Sequence, residues 1–179
     1  KGKLFDIKNS IANGFVGGWQ LSANSTIQSG VPQSLTIGIN NAGTNNPLPD
    51  RPSYSGTGNG YAANRTPSRW YDPASFVVAP QGSFGNVGRN TMITPHFQTI
   101  DMAVHKQIHL GYKEGHRLQF RLEAFNVFDH PVWGAPNGNI LAGPTFPGAA
   151  ANAAHPGFGV ISSTAIAMRQ LQLGLKYSF

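Results

Sequence analysis

Cysteine is absent from this 179-residue chain, and charged side chains make up only 11% of it. Without cysteine there is no disulfide, no thiolate zinc site and no cysteine nucleophile. Charged residues contribute about 25% of an ordinary soluble domain, so their scarcity here is unusual. Uncharged polar residues, 22 glycines and 13 prolines take their place, and this balance favours β-structure with long loops over a helical bundle.

Long apolar runs are also missing. No run reaches the roughly 18 residues that a transmembrane helix requires. The opening residues, KGKLFD, lack the apolar stretch of a secretory signal peptide. Two expectations stay open at this point: either the protein remains in the cytoplasm, or its natural start lies upstream of Lys1.

A concentrated basic patch is missing as well, although the net charge is +6. The basic residues are dispersed along the chain, with several near its start, four between Arg51 and Arg89, and two at Arg117 and Arg121. Nucleic-acid interfaces cluster such residues on one face or along one helix. A nucleic-acid partner is therefore not expected.

Apolar and polar residues alternate in several segments of the chain, and no segment shows a convincing helical spacing of its apolar residues. The segments that alternate lie at about 3–12, 18–30, 97–110, 116–128 and 167–179. Each is about as long as a tilted strand that crosses a bilayer, which needs roughly 9–11 residues. Because a soluble sandwich shows the same alternation, the period alone does not decide between a sandwich and a membrane barrel.

The connections between these segments alternate between short and long. The links at 12–18 and 110–116 are tight, whereas 31–95 and 131–166 are long and rich in Gly, Pro and Asn. Outer-membrane barrels combine short periplasmic turns with long extracellular loops in this way. The sequence thus favours an all-β fold, an antiparallel meander of about five transmembrane-type strands with two long extracellular loops. The stretch 131–157 has no charged residue and consists largely of Gly, Ala, Pro and Asn, and we expect loops of this composition to bury little and to lie over or inside a rim.

Several motifs carry a resemblance to a known family. The chain contains, in order, GGWQLS with QSGVP, WYDPASF with GSFGNVGRN, LQFRLEAFNVFDHPVWG, and FGVISST with RQLQLGLKYSF. Together they resemble the C-terminal portion of TonB-dependent outer-membrane receptors, and most of all the Oar-like group, in which a carboxypeptidase-regulatory-like domain precedes the plug. The resemblance implies a 22-stranded barrel with an internal plug that imports large or scarce solutes, using energy relayed from the inner membrane.

Single-chain barrels have at least about 8 strands, so the resemblance implies that this chain supplies the last five strands of a larger receptor. A plug, a TonB-contacting segment and an export signal are then expected upstream of Lys1. The implied location is the outer membrane. The implied partners are outer-membrane lipid, the rest of the same barrel with its plug, the barrel-assembly machinery, and the TonB system through the plug.

The resemblance also gives the final segment a role. In outer-membrane barrels the last strand pairs with the first, and its alternate apolar residues and terminal aromatic form the signal that the assembly machinery reads. The residues that match this signal are Leu171, Leu173, Leu175, Tyr177 and Phe179. The last two would also join an interfacial aromatic girdle.

Polar residues on the opposite side of the segments are expected to face the lumen, because an Arg or Lys on the lipid side costs about 2–4 kcal/mol at mid-bilayer. The predicted lumen-facing residues are Asp101, Arg117, Gln119, Arg121, Glu123, Gln170, Gln172 and Lys176. Arg121 and Glu123 are expected to pair across neighbouring strands. Lys106 falls on the apolar side and is expected to snorkel towards periplasmic headgroups.

Neither a catalytic constellation, a metal site nor a cofactor site is expected. His105 and His109 would lie about 13 Å apart on a strand that rises about 3.3 Å per residue, too far to share an ion. No G-x-S-x-G elbow is present. The best candidates for ligand contact are aromatic residues of the loops, although the same residues would also serve to pack the loops together. They are Trp70, Tyr71, Phe76, Phe84, Trp133 and Phe146.

Two hypotheses therefore remain. In the first, the chain is a segment of an outer-membrane barrel that performs no chemistry itself. In the second, it is a soluble extracellular β-sandwich that binds a carbohydrate or a protein. The barrel requires Leu171, Leu173, Phe120 and Leu122 to face outward, whereas the sandwich requires them to interdigitate with a second sheet.

Overall fold

The computed structural model describes residues 16–44, 46–110, 116–144 and 150–179. The predicted strand at about 3–12 and the candidate ligand contact Phe146 lie outside these residues. Within them, no helix is both long and apolar enough to span a membrane. These described residues divide into two compact units, one drawn from the ranges up to Ile27, Gln98–Pro131 and Ala167–Phe179, the other from the ranges Gln28–Phe97 and Val132–Ile166.

The elements of the described residues are strands and one short 3₁₀-helix, Pro73–Ser75, which follows the N-cap Asp72. In chain order the strands are β1 (Trp19–Gln28), β2 (Pro32–Gln33), β3 (Ser53–Tyr54), β4 (Tyr61–Thr66), β5 (Arg69–Tyr71), β6 (Phe76–Val77), β7 (Met92–Ile93), β8 (Phe97–His109), β9 (Arg117–Phe125) and β10 (Gln170–Ser178).

The first unit is a four-stranded sheet with the order β1-β8-β9-β10. Strand β9 runs antiparallel to both β8 and β10. The start of β1 meets the end of β8, where the Gln107 N–H donates to the Gly18 carbonyl at 2.9 Å, so these two strands also run in opposite directions. The predicted all-β, antiparallel class is confirmed.

A side-chain-fastened turn ends β9 within the motif FNVFDHP. Asn126 adopts a left-handed backbone (φ 50°) and is 4% exposed. Its side-chain amide donates to the His130 carbonyl at 2.9 Å and accepts from the His130 N–H at 3.1 Å. Its own N–H donates to the Asp101 carboxylate of β8 at 2.9 Å, and Asp129 accepts from the Arg169 N–H at 2.8 Å, just before β10. The turn thus ties the ends of three strands together.

The second unit consists of the two long loops, which fold together. Short antiparallel pairs form between β2 and β7, between β3 and β6, and between β4 and β5. The two loop segments are joined by an isolated parallel bridge between Thr36 and Asn139. The Gln33 side chain also donates to the Pro136 carbonyl at 2.9 Å.

A hydrophobic core holds this second unit together, so the expectation that the loops bury little was wrong. Its fully or nearly fully buried members are Leu35, Ile37, Tyr71, Phe76, Val87, Met92, Ile140, Ala154 and Phe158. The physical reason lies in the same composition that suggested an exposed loop. Turn-forming Gly and Pro reverse the chain often enough for isolated apolar residues to converge, and a segment without ionised groups can be buried without the penalty of desolvating a charge.

Tyr71 lies at the centre of this core with no exposed surface. Its ring packs against Phe158 and Tyr61, with ring centroids 5.5 Å and 5.9 Å away. Its hydroxyl donates to the Gln33 side-chain oxygen at 2.8 Å. Burial raises the pKa of Tyr71 well above its ordinary value, with a smaller contribution from Tyr61, so the phenol stays neutral and keeps its hydrogen bond over the whole physiological range.

Candidate functional site

The sheet of the first unit has two chemically different faces, and the strand register defines them. Residues aligned across β8, β9 and β10 share a face. On one face, the aligned rows are Met102–Ala124–Leu171, Val104–Leu122–Leu173, Lys106–Phe120–Leu175 and Ile108–Leu118–Tyr177. All but one of these residues are apolar or aromatic, so one side of the sheet is a continuous apolar surface.

The outer strands of this apolar face are open to the surroundings. Leu171, Leu173 and Leu175 are 66%, 68% and 71% exposed, and Leu21 of β1 is 65% exposed. Exposure on this scale leaves no second sheet of described residues interdigitating with these side chains. A contiguous apolar surface of this kind marks contact with a membrane or a partner. The sandwich hypothesis, which required a covering sheet, is therefore not favoured.

Lys106 is the charged exception on the apolar face, and its charge has partners within the protein. The side chain is 6% exposed. Its ammonium group lies 5.0 Å from the ring centroid of Trp19 and donates to the Gly17 carbonyl. A cation above an indole face is a favourable contact, particularly when it is desolvated. The aromatic ring and carbonyl thus explain how β8 accommodates a lysine here, while snorkelling towards headgroups stays a prediction.

The opposite face of the sheet carries the predicted lumen residues. The register places all of them on this one side, in rows such as Glu123–Gln172 and Gln119–Lys176. The eight residues are Asp101, Arg117, Gln119, Arg121, Glu123, Gln170, Gln172 and Lys176. That this face borders a lumen stays a prediction, but its residues do form a largely polar surface, with the exposed Phe125 beside Gln170 at one end.

Arg121 organises the middle of the polar face. Its guanidinium pairs with Glu123 at 2.8 Å, two residues along the same strand, and its Nε donates to His105 Nε2 of β8 at 3.3 Å. The expectation that Arg121 and Glu123 pair across strands was therefore wrong, because residues two apart on a strand point to the same side. Both side chains are partly exposed, so the pair adds little stability, and its geometric effect is to hold the guanidinium over the sheet.

The histidines do not gather into a metal site. His105 aligns with Arg121 and His109 with Arg117, two rows away. Within the ranges that the structure describes, no group of three or more His, Cys, Asp or Glu side chains is arranged to hold a metal ion.

The final strand, β10, forms one edge of the sheet. Tyr177 is hydrogen-bonded to the His116 ring nitrogen, and its ring lies 5.9 Å from that of Phe179, which is 93% exposed. The five residues proposed as the assembly signal, Leu171, Leu173, Leu175, Tyr177 and Phe179, alternate along this edge in the pattern that the sequence indicates. Whether assembly machinery reads them stays a prediction.

The loop aromatics fall into two groups. Tyr71 and Phe76 are fully buried in the core of the second unit, and Trp70 packs against that core with its Nε1 donating to the Ile93 carbonyl at 3.1 Å. Phe84 and Trp133 are 67% and 37% exposed. A side chain fully buried in a core has no surface left for a ligand, so the prediction of ligand contact was wrong for Tyr71 and Phe76. The partly buried Trp70 and the exposed Phe84 and Trp133 remain as described candidates for ligand contact.

Two arginines that the sequence showed only as dispersed charge, Arg51 and Arg89, prove to line one groove on the second unit. They are 38 positions apart and sit in loops without a period, so no local pattern could have paired them. The one available signal was the motif GSFGNVGRN, which ends beside Arg89 and contains Phe84.

Comparison with known proteins gives one match. The model of a family described as an outer membrane beta barrel domain matches residues 1–172 of the chain. No curated protein and no solved structure matches it.

Proposed function

We propose, from the premise that this chain belongs to the outer membrane beta barrel domain family, that it forms part of the barrel wall of a TonB-dependent receptor. The protein lies in the outer membrane. In the proposed receptor this chain supplies the closing strand, and the complete barrel with its plug imports a large or scarce solute. The chain itself performs no chemistry.

The observation that carries the proposal is the two-faced sheet. Its strands are about as long as the roughly 9–11 residues that span a bilayer at a tilt, with β10 running from Gln170 to Ser178. Exposed leucines line one face and polar residues the other. Hydrocarbon solvates the first face at no cost, and the second fits a lumen that holds a polar plug.

The open edges of the sheet support a larger assembly. Among the described residues, β1 and β10 each have one neighbouring strand. Backbone groups left unpaired in hydrocarbon cost several kcal/mol each, on the order of a lost hydrogen bond without water to replace it. We therefore assign the strands that complete the wall to the rest of the same barrel, with β10 pairing with the barrel's first strand.

The remaining partners follow from the same assignment. The polar face, with Arg117 and Gln119 at one end and Gln170 at the other, contacts the plug. The terminal aromatic strand is recognised by the barrel-assembly machinery. The loop unit lies on the extracellular side, where it meets the solute, and the TonB system acts through the plug.

Two measurements on the complete protein that carries this chain test the proposal. Purified periplasmic domain of TonB is expected to bind the reconstituted protein, since a receptor must contact its energy source. In a liposome-swelling assay with arabinose, the same protein is expected to leave the vesicles closed, because a plug fills the lumen. A general porin reconstituted in parallel serves as the positive control for swelling.

Rapid swelling together with no TonB binding would contradict the receptor assignment and identify a passive pore on the same barrel. The two measurements therefore distinguish energised uptake from passive diffusion, which the same barrel architecture can support, since barrel geometry by itself does not determine what crosses it.

A further inference from the structure

A groove of about 500 Å³ opens on the surface of the second unit, and we infer that it binds a small organic anion: a carboxylate or phosphate ester with an apolar body. The groove is bounded by three stretches of the first long loop, 34–36, 46–51 and 84–90. Its size falls within the roughly 300–1,000 Å³ of small-molecule sites.

The charge of the groove selects an anion. Arg51 and Arg89 line it, and in the described part of the chain neither side chain makes an ion pair or a side-chain hydrogen bond; the two ion pairs found there lie elsewhere. Asp50 is the lining carboxylate, 7% exposed, and one of its oxygens accepts the Ala42 N–H at 2.7 Å. Two cations against one engaged carboxylate leave the groove positive. The planar guanidinium fork suits carboxylate and phosphate oxygens.

Apolar side chains beside these arginines select a ligand with an apolar body. Phe84 is 67% exposed and Leu48 is 63% exposed, and both line the groove together with the fully buried Leu35. An exposed apolar residue is ordinary by itself. Two of them that face a shared cavity alongside unpaired cations offer the combination of apolar walls and few polar anchors that is typical of binding sites.

The wall that carries Phe84 is fixed in place by a close backbone approach. A Cβ added at Gly85 would lie 2.0 Å from the Arg51 carbonyl oxygen, so only glycine allows this contact. The Tyr54 N–H donates to the Asn86 side chain at 2.8 Å, and the Val87 N–H donates to the Pro52 carbonyl at 3.1 Å. Phe84 is therefore held beside Arg51 by the chain itself.

The wall that carries Arg89 is fixed by its neighbour Asn90. Asn90 adopts a left-handed backbone (φ 55°), its N–H donates to the Ser34 hydroxyl at 2.9 Å, and that hydroxyl donates to the Asn90 side-chain oxygen at 3.0 Å. Groups that are already held in place lose less entropy when a ligand binds. This preorganisation therefore indicates a binding site rather than a surface depression without function.

This inference names a solute class for the proposed receptor, and to that extent it rests on the proposed function. Binding to the groove is nevertheless measured without uptake. If the protein binds the anion but fails the TonB and swelling tests, the groove inference stands and the receptor proposal is rejected. If it passes those tests but does not bind the anion, the receptor proposal stands and the groove inference is rejected.

The test is a titration of the complete protein that carries this chain, in maltoside micelles, with phenyl phosphate, followed by NMR chemical shifts of the Gly85 and Asn90 amides. Phenol and inorganic phosphate are titrated as probes that carry only one half of the proposed chemistry. The variants Arg51→Gln and Arg89→Gln are each expected to weaken phenyl phosphate binding about tenfold, the effect of one lost charge-assisted hydrogen bond. Arg69→Gln, an arginine of the same unit outside the groove, is the matched control.

Saturable shifts at both amides, stronger for phenyl phosphate than for either half-probe and reduced only by the two groove substitutions, are the expected result. Equal binding of phenol, or an equal loss in Arg69→Gln, would overturn the proposal. Far-UV circular dichroism of each variant checks that the fold is retained. Both groove arginines carry partly or fully exposed side chains, so their removal leaves no buried group unpaired.

Discussion

Individual side chains in this protein take roles that depend on which unit they occupy. Leu175 of β10 is 71% exposed, whereas Leu35 of the loop unit is fully buried. The receptor proposal explains this difference by the solvent of each unit, which is hydrocarbon for the sheet and water for the loops. Tyr71 is the clearest example of a buried residue of the loop unit, and its hydroxyl donates a hydrogen bond to the Gln33 side chain.

Replacing Tyr71 by Phe is expected to destabilise the chain by about 1 kcal/mol near neutral pH, since the Gln33 oxygen loses its donor. Above pH 10 the difference from wild type should narrow. The ordinary pKa of 10.0 applies to the unfolded chain and burial raises the pKa in the folded one, so wild type loses about 1.4 kcal/mol of stability per pH unit once its unfolded state ionises.

Urea unfolding of both chains at pH 7, 9 and 11 measures this change. The stability gap should be constant between pH 7 and 9 and smaller at pH 11. A gap that stays constant through pH 11 would mean that Tyr71 ionises equally in the folded and unfolded chains.

At the scale of elements, period-two alternation located the sheet well. The described strands β1, β8, β9 and β10 lie inside the segments predicted from alternation alone, and their facing residues follow the predicted parity. Strand ends were less predictable. β9 stops at Phe125 rather than about 128, because Asn126 turns into the left-handed region and its side chain fastens to His130.

The elements of the loop unit could not be predicted in this way. A two-residue strand such as β2 or β7 contains no full period, and its pairing joins Pro32 to Ile93 across the sequence. The functional surfaces were predictable only in part. The alternation of residues along each strand predicts the polar face of the sheet, whereas Arg51 and Arg89 come together only through a tertiary fold that glycine and asparagine turns create.

Neighbouring positions on β10 offer a direct test of its two faces. Leu173→Arg is expected to cost about 2–4 kcal/mol, because it places a charge in hydrocarbon near mid-bilayer. Gln172→Arg introduces the same side chain one residue away on the polar face, beside Glu123, and is expected to be tolerated. Urea titration of the complete protein in phospholipid vesicles measures both stabilities, and equal losses would show that the faces are not solvated differently.

At the scale of the whole molecule, the receptor proposal predicts that the sheet forms a membrane wall and that the folded loop unit is exposed to water. The three tryptophans report on the two units separately. Trp19 is 54% exposed in β1, whereas Trp70 packs against the core of the loop unit.

Brominated phospholipid is expected to quench the fluorescence of Trp19 strongly and that of Trp70 weakly. Single-tryptophan chains made with Phe at the other two positions isolate each signal, and Trp133 provides a second probe of the loop unit. The measurement is the quenched fraction in vesicles of brominated relative to ordinary lipid. Comparable quenching of Trp19 and Trp70 would contradict the assignment of the loop unit to water.

The loop unit draws its core from two stretches that are far apart in sequence, with Leu35 and Ile37 in one and Ile140 and Phe158 in the other. We expect the earlier stretch to be exported first. Its apolar residues then stay exposed until β8, β9 and the later stretch have followed it. Closing so long a loop is entropically costly and slow. We therefore expect periplasmic chaperones to bind the region around Leu35 for longest, well before the final strand reaches the bilayer.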